Sequence, residues 1–293
     1  MLGVMLGRFR FAYSTNAYTE VPLSLAVHEI ARSGFDGVEI LADLPHLNPM
    51  RHDVRAARRV SELIQRLGLA VSNVNVNTNL ALSRQDPEGF APSLIDRSGA
   101  ARQARIDYVA RALRLSREME ARNAAVALGR APRGEGRDAL IDRAAESFRK
   151  VMAHAEKTGV RVGIEYEPGH FVENHAQLLD LLDRVGHPML GANLDIGHAV
   201  CAGEDVPAVI RALRGRIWNF HFEDIRGGVH DHLVPGLGDV DFEPILRAIL
   251  ETGYVGHLTL ELYPYKTSPT WAGKTGLAHL RGVADRLDHA TVG

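Results

Sequence analysis

A chain of 293 residues with 45% hydrophobic content can bury a sizeable core and is close to the roughly 250 residues typical of an eight-unit α/β barrel. Its 34 basic and 36 acidic residues leave a formal charge of -2, so no global field recruits nucleic acid or an anionic membrane. The single cysteine, Cys201, excludes an internal disulfide framework, fits a reducing compartment and reads as a small buried hydrophobe.

The run from Arg8 to Ser14 alternates as a strand does, and Val21 to Ser33 then carries apolar residues at helical spacing up to Gly34. GVEILA at 37–42 predicts a second strand, followed by a loop with His46 and an arginine-rich amphipathic helix from about His52 to Leu67. Leu69 to Thr78 predicts a third strand, Leu94 to Ala121 a third helix, Ala124 to Leu128 a fourth strand and Asp138 to Thr158 a fourth helix. The second half repeats the alternation with shorter connections. Strands are expected at Arg161–Glu165, Leu190–Asp195, Ile217–Phe222 and His257–Leu262. Their helices are expected at Asn174–Val185, Val206–Leu213, Phe242–Glu251 (after a long loop) and Thr275–His289. Eight strand-helix units with no linker or low-complexity break argue for one parallel sheet closed into a (β/α)8 TIM barrel, a single domain over residues 1–293. A doubly wound open sheet is the alternative, and no glycine fingerprint after the first strand supports it. No apolar run approaches about 18 residues, and the N-terminal segment lacks a long apolar core and a small-residue cleavage site. A soluble, cytoplasmic protein without a membrane partner is therefore expected.

Four of the predicted strands end in residues able to bind metal. IEYE delivers Glu165 and Glu167, NLDIGH delivers Asp195 and His198, FHFED delivers His221 with Glu223 and Asp224, and LELY delivers Glu261. In a closed parallel barrel the C-terminal strand ends converge over one mouth, so side chains from four strands can grip one cation. A single strand-end carboxylate is more often an ordinary polar cap; four at equivalent positions are much harder to explain that way. Glu165, Asp195, His221 and Glu261 are mostly hard ligands, which suit Mn²⁺, Mg²⁺ or Co²⁺, with Zn²⁺ as a further candidate.

This quartet, set in IEYEPG, NLDIGH, FHFED and LELY, resembles the xylose-isomerase-like TIM barrel superfamily, which holds sugar isomerases, ketose 3-epimerases, inosose isomerases and dehydratases, and endonuclease IV. The resemblance spans nearly the whole chain and is specific for the superfamily rather than for one reaction. It implies that Glu165, Asp195, His221 and Glu261 hold one divalent metal ion and that His198 faces the substrate or a second metal. It also implies that the loop GVHDHLVPGLGDVDF lies at the active-site mouth, with His198, His230 and His232 where the ligands of one extra ion are expected. In the endonuclease branch an aspartate stands at the place of His230. The histidines which that branch needs after the third and fourth strands are replaced here by asparagines at 75, 77 and 79 and by AVALGRAP.

Proton abstraction beside a carbonyl gives an enediolate, and Glu165 and Glu261, from non-adjacent strands, are available to flank the reacting carbon as an acid/base pair. Return of the proton to the other face gives epimerisation, and return to the neighbouring carbon gives isomerisation. The expected substrate is a small sugar or polyol carbonyl compound. Phosphodiester cleavage at abasic DNA and loss of a hydroxyl by a dehydratase are the alternatives. Asn73, Asn75, Asn77 and Asn79 alternate, so all four are expected on one face of the third strand, with Asn75 or Asn77 bonding substrate hydroxyls. Glu167 is a further candidate for substrate contact, Arg226 for holding a hydroxyl or phosphate, and His46 and His52 for the rim. A homo-oligomer is compatible with the chain, and no seam is legible in the sequence.

Overall fold

The structure, a computed structural model, describes residues 9–82 and 89–290, so Arg8 of the first predicted strand lies outside the described residues. Eight parallel strands close on themselves: β1 (Arg10–Ser14), β2 (Gly37–Leu41), β3 (Ala70–Asn75), β4 (Asn123–Ala127), β5 (Arg161–Glu165), β6 (Leu190–Asp195), β7 (Ile217–Phe222) and, after a two-stranded hairpin β8 (Asp224–Arg226) and β9 (Val229–Leu233), β10 (His257–Leu260). Closure joins the first strand to the last, with Arg10 opposite His257 and Tyr13 opposite Leu260. Strands such as NAAVA and LGANLD are buried at every position, because helices cover the outside of the barrel and side chains fill the inside.

The helices are α1 (Leu23–Arg32), α2 (Val54–Arg66), α3 (Gly99–Glu118), α4 (Arg137–Thr158), α5 (His175–Val185), α6 (Ile196–Cys201), α7 (Val206–Ala212), α8 (Phe242–Thr252) and α9 (Pro269–Ala290). Their ends follow capping chemistry. Asp53, Ser98, Asn174, Asp205 and Asp241 each accept a backbone N–H of the first turn, and Gly159, Gly186 and Gly253 stop helices in the left-handed conformation. Cys201 ends α6 half-buried. Among the described residues no helix is long and apolar enough to cross a membrane.

The interior is polar along its length. Thr259 Oγ1 lies 3.1 Å from Ser72 Oγ and 3.2 Å from Asn219 Oδ1, and Asn219 Nδ2 donates to Asn193 Oδ1 at 2.7 Å. Asn193 in turn donates to Glu165 Oε2 and lies 3.1 Å from His221 Nδ1. Amides and hydroxyls are tolerated in such a core because each finds a partner.

At the N-terminal end of the barrel, His257 is only 8% exposed, and burial, then the charges of Arg10 and Arg122, push its imidazole down to about 4 against the opposing pull of Asp36. A folded-state value below that of the unfolded chain means that the unfolded chain takes up the proton first as pH falls. The contribution, of order 3 kcal/mol, is therefore complete above about pH 6.5 and lost between there and pH 4. We expect the difference in thermal stability between wild type and His257→Asn to shrink over that window in a phosphate-free buffer. A pH-independent difference would show that the imidazole does not titrate with unfolding.

Candidate metal centre and active site

Glu165 and Asp195 are the last residues of β5 and β6, His221 is the penultimate residue of β7, and Glu261 directly follows β10. Each offers one ligand atom, and the four atoms lie within 4.8 Å of one another. His221 sits at the centre: its Nδ1 is 3.0 Å from Glu165 Oε2, 3.4 Å from Glu261 Oε2 and 3.9 Å from Asp195 Oδ2. Its other nitrogen, Nε2, lies 2.7 Å from Glu39 Oε2, which places a proton on Nε2 and leaves Nδ1 as the nitrogen that faces the three carboxylates. A ring nitrogen among three carboxylate oxygens needs a positive charge between them, which a proton or a bound cation can supply. Burial alone would push the His221 imidazole down, but Glu261, Glu39 and Glu165 hold it well above its ordinary range, so in the metal-free protein a proton meets those carboxylates where a bound cation would replace it. Asp195 Oδ2 is buried without a hydrogen-bond partner, as an empty coordination direction would be. The donor set fits one divalent ion.

Glu39 escaped the sequence reading. It lies in the middle of β2 in GVEIL, fully buried, and accepts from Asn73 Nδ2 at 2.7 Å and Asn75 Nδ2 at 3.3 Å besides His221. The only signal was an acid inside a strand that the pattern required to be buried. A carboxylate behind a ligating histidine fixes the ring and raises its basicity. Glu39→Gln is therefore expected to weaken Mn²⁺ binding by about 10–100-fold in a calorimetric titration; unchanged affinity would remove Glu39 from that role.

Asp195 does two things at once. Its Oδ1 accepts the backbone N–H of His198 at 2.8 Å, capping α6, a short helix that the sequence reading did not anticipate. Gly197 in the same turn leaves room for Glu223, since a Cβ there would stand 1.7 Å from Glu223 Oε1. Burial, then the neighbouring Asp195 charge, raises the Glu223 carboxyl well above its usual range, so it stands beside Asp195 as a neutral acid. Asp224, the other acid of FHFED, is not part of the quartet. Its carboxylate accepts from the backbone N–H groups of Gly236 (2.8 Å), Gly238 (2.9 Å) and Val240 (3.0 Å), tethering the PGLG loop.

The expected long loop after β7 begins as the β8–β9 hairpin and brings His230 and His232 over α6. His198, His230 and His232 form a second cluster, with ligand atoms within 4.8 Å of one another. His198 Nδ1 lies 2.8 Å from the Tyr166 carbonyl and His232 Nδ1 3.0 Å from the Glu261 carbonyl, so both rings present Nε2 inward. The Nε2 atoms of His230 and His232 are buried without partners. Burial pushes His232 down to about 3 and also lowers His230, while the Asp195 charge, against burial, raises His198.

A cavity of about 430 Å³ opens above both groups, lined by Glu165, Glu167, Glu261, Asn75, Asn77 and the three histidines, with Phe90, Arg130 and Tyr263 on its walls. That volume suits a small metabolite. Glu261 Oε1 accepts from Asn16 Nδ2 at 2.8 Å and Asn75 Nδ2 at 2.9 Å, which leaves Oε2 facing the quartet. Asn16, another residue not anticipated, comes from the turn after β1. The asparagine alternation survives only as far as β3 runs: Asn73 and Asn75 point inward, Asn77 lines the cavity from the loop, and Asn79 turns away to the Pro92 carbonyl at 3.0 Å. The fully buried Arg105 of α3 holds that loop by donating to the carbonyls of Val76 (2.6 Å) and Asn77 (2.8 Å).

Arg226 does not line the cavity. It is exposed on the hairpin, and its guanidinium donates to the Leu237 carbonyl, because the residue after Ile225 faces solvent on β8. His46 and His52 line a separate depression beside α1 and α2.

The family model described as xylose isomerase-like TIM barrel matches residues 27–283. Fructoselysine 3-epimerase of Escherichia coli O157:H7 is 23% identical over 274 residues, covering 92% of this chain and 96% of the relative. A 3-dehydroshikimate dehydratase of Pseudomonas putida is 28% identical over 82% of this chain, which spans only 36% of that longer protein. Among solved structures, the IOLI protein with a bound zinc atom superposes over 95% of this chain and 99% of its own, with a TM-score of 0.78 and 17% identity.

Proposed function

The chain belongs to the xylose isomerase-like TIM barrel family, and on that premise we propose that it is an enzyme that uses one divalent cation to isomerise or epimerise a small polyhydroxy carbonyl compound. One observation carries the reading: Glu165 and Glu261, on strands separated by β6 and β7, line one cavity and converge with Asp195 on His221 Nδ1. Glu165, Asp195, His221 and Glu261 would hold the cation, with Glu39 orienting His221. When bound, a divalent ion supplies Lewis acidity toward a substrate carbonyl and its adjacent hydroxyl.

The chain's own residues do the rest. Glu165 and Glu261 approach the reacting carbon from different sides, one taking its proton and the other returning one, with the hand of the stereocentre deciding which acts first. Asn16 and Asn75 fix Glu261 through Oε1, which holds its carboxylate where the quartet meets the cavity and the reacting carbon would lie. Asn77 and Glu167 are placed to bond substrate hydroxyls, and His198, His230 and His232 to hold a further substrate oxygen or a second cation.

The relationship to fructoselysine 3-epimerase over nearly the full length of both chains supports sugar-type chemistry. A second reading, loss of a hydroxyl after the same proton abstraction, is favoured by the 28% identity to a dehydratase. Cleavage of abasic DNA has less support. The cavity has no histidine from β3 or β4, and among the described residues the two clusters given above are the groups arranged to take metal. The test is product analysis by NMR after Mn²⁺-loaded protein meets a panel of ketoses, aldoses, inososes and keto-glycosides. An epimer or isomer of unchanged formula supports the proposal, a dehydrated product moves it to the second reading, and cleavage of an abasic duplex alone overturns it.

A further inference from the structure

The opposite mouth of the barrel holds a second cavity, of about 420 Å³, that the reaction does not use. Its walls include residues that begin strands: Arg10 on β1, Asn123 on β4, Arg161 on β5, Ile217 on β7 and His257 on β10. The candidate active site is built from the other ends of the strands, and the two cavities share no lining residue.

The charge in this second cavity is one-sided. Arg10, Arg122, Arg161 and Arg214 line it against a single carboxylate, Glu120. None of the four arginines has an ion-pair partner among the described residues, although elsewhere on the surface Arg58, Arg97, Arg143 and Arg216 each do. Arg161 is positioned rather than neutralised: it stacks 4.3 Å above the Trp218 ring and donates to Asn123 Oδ1 at 2.8 Å. Arg10 donates to the Val255 carbonyl.

Two buried polar atoms of the lining residues have no partner. His257 Nε2 is one and Trp218 Nε1 the other, and His257 is 8% exposed. A Cβ on Gly37 would stand 3.0 Å from His257 Nε2, so the imidazole edge has its place because that position is glycine. Buried polar groups of a native protein are ordinarily satisfied, and several guanidinium groups without a counter-charge form the natural cradle for a small oxyanion.

We propose that the N-terminal mouth of the barrel is an anion site for phosphate or a small phosphorylated molecule, held by Arg10, Arg122 and Arg161 with His257 and Trp218 at its inner wall. The cavity's volume and its place inside the strand ends suit a small dianion rather than a polymer. The site is remote from the quartet, so it binds whichever reaction the enzyme performs.

The test is calorimetric titration of the metal-loaded full-length protein with inorganic phosphate, alongside thermal unfolding in phosphate and in sodium chloride at equal ionic strength. We expect saturable binding near one phosphate per chain, a higher Tm in phosphate than in chloride, and affinity at least about tenfold lower in Arg122→Gln and in Arg161→Gln. Arg122 is exposed at the entrance to β4, so its replacement leaves the core intact. Absence of saturable binding overturns the proposal. Binding that is equal in wild type and both variants also overturns it, because phosphate then sits elsewhere, as on the metal.

Discussion

Glu261→Gln is expected to lower kcat by about a thousandfold at saturating metal, with little change in the fold. Glutamine keeps the Oε1 acceptor that Asn16 and Asn75 hold, so the side chain stays in place. It removes the oxygen proposed to exchange a proton with the substrate. The carboxyl also contributes Oε2 to the quartet, 3.4 Å from His221 Nδ1, so a weaker grip on the cation should accompany the loss. Turnover must therefore be compared at metal concentrations that saturate each protein. Circular dichroism and thermal unfolding check the fold. Retention of full activity would take Glu261 out of the chemistry and leave Glu165 without its counterpart.

Asp195→Asn is expected to weaken Mn²⁺ binding by at least about two orders of magnitude while leaving α6 in place. Asparagine is as good a helix cap as aspartate, so the acceptor for the His198 N–H survives. What disappears is the anionic Oδ2, the buried atom that has no hydrogen-bond partner and faces His221 Nδ1 at 3.9 Å. Glu223 then loses the neighbour whose charge helps keep it protonated. Metal affinity measured by titration, set against Tm of the metal-free protein, separates the two roles. Equal loss of both would mean that Asp195 serves the helix alone.

The strands that carry the quartet were legible because barrel strands are short apolar runs with polar ends. RVGIE, LGANLD and IWNFHF begin and end where their patterns predict. The residues behind the quartet were not legible, because they meet it only when the barrel closes. Glu39 bonds His221 across 182 positions, and Asn16 bonds Glu261 across 245. No local period encodes a contact of that range. The asparagine ladder was read too far because alternation was extended past Asn75, where the strand gives way to a loop held by Arg105. Arg226 falls outside the site because of the segment it lies in. It is a hairpin, and strand alternation there puts Ile225 inside and Arg226 outside.

The most direct test of the central claim is solvent deuterium incorporation, followed by NMR, into a panel of ketoses, aldoses and inososes, with Mn²⁺ present and after chelation. The account predicts exchange at a carbon next to the carbonyl of at least one compound, lost on chelation and absent in Glu261→Gln. Exchange that persists without metal, or no exchange in any compound while an abasic duplex is cut, would contradict it.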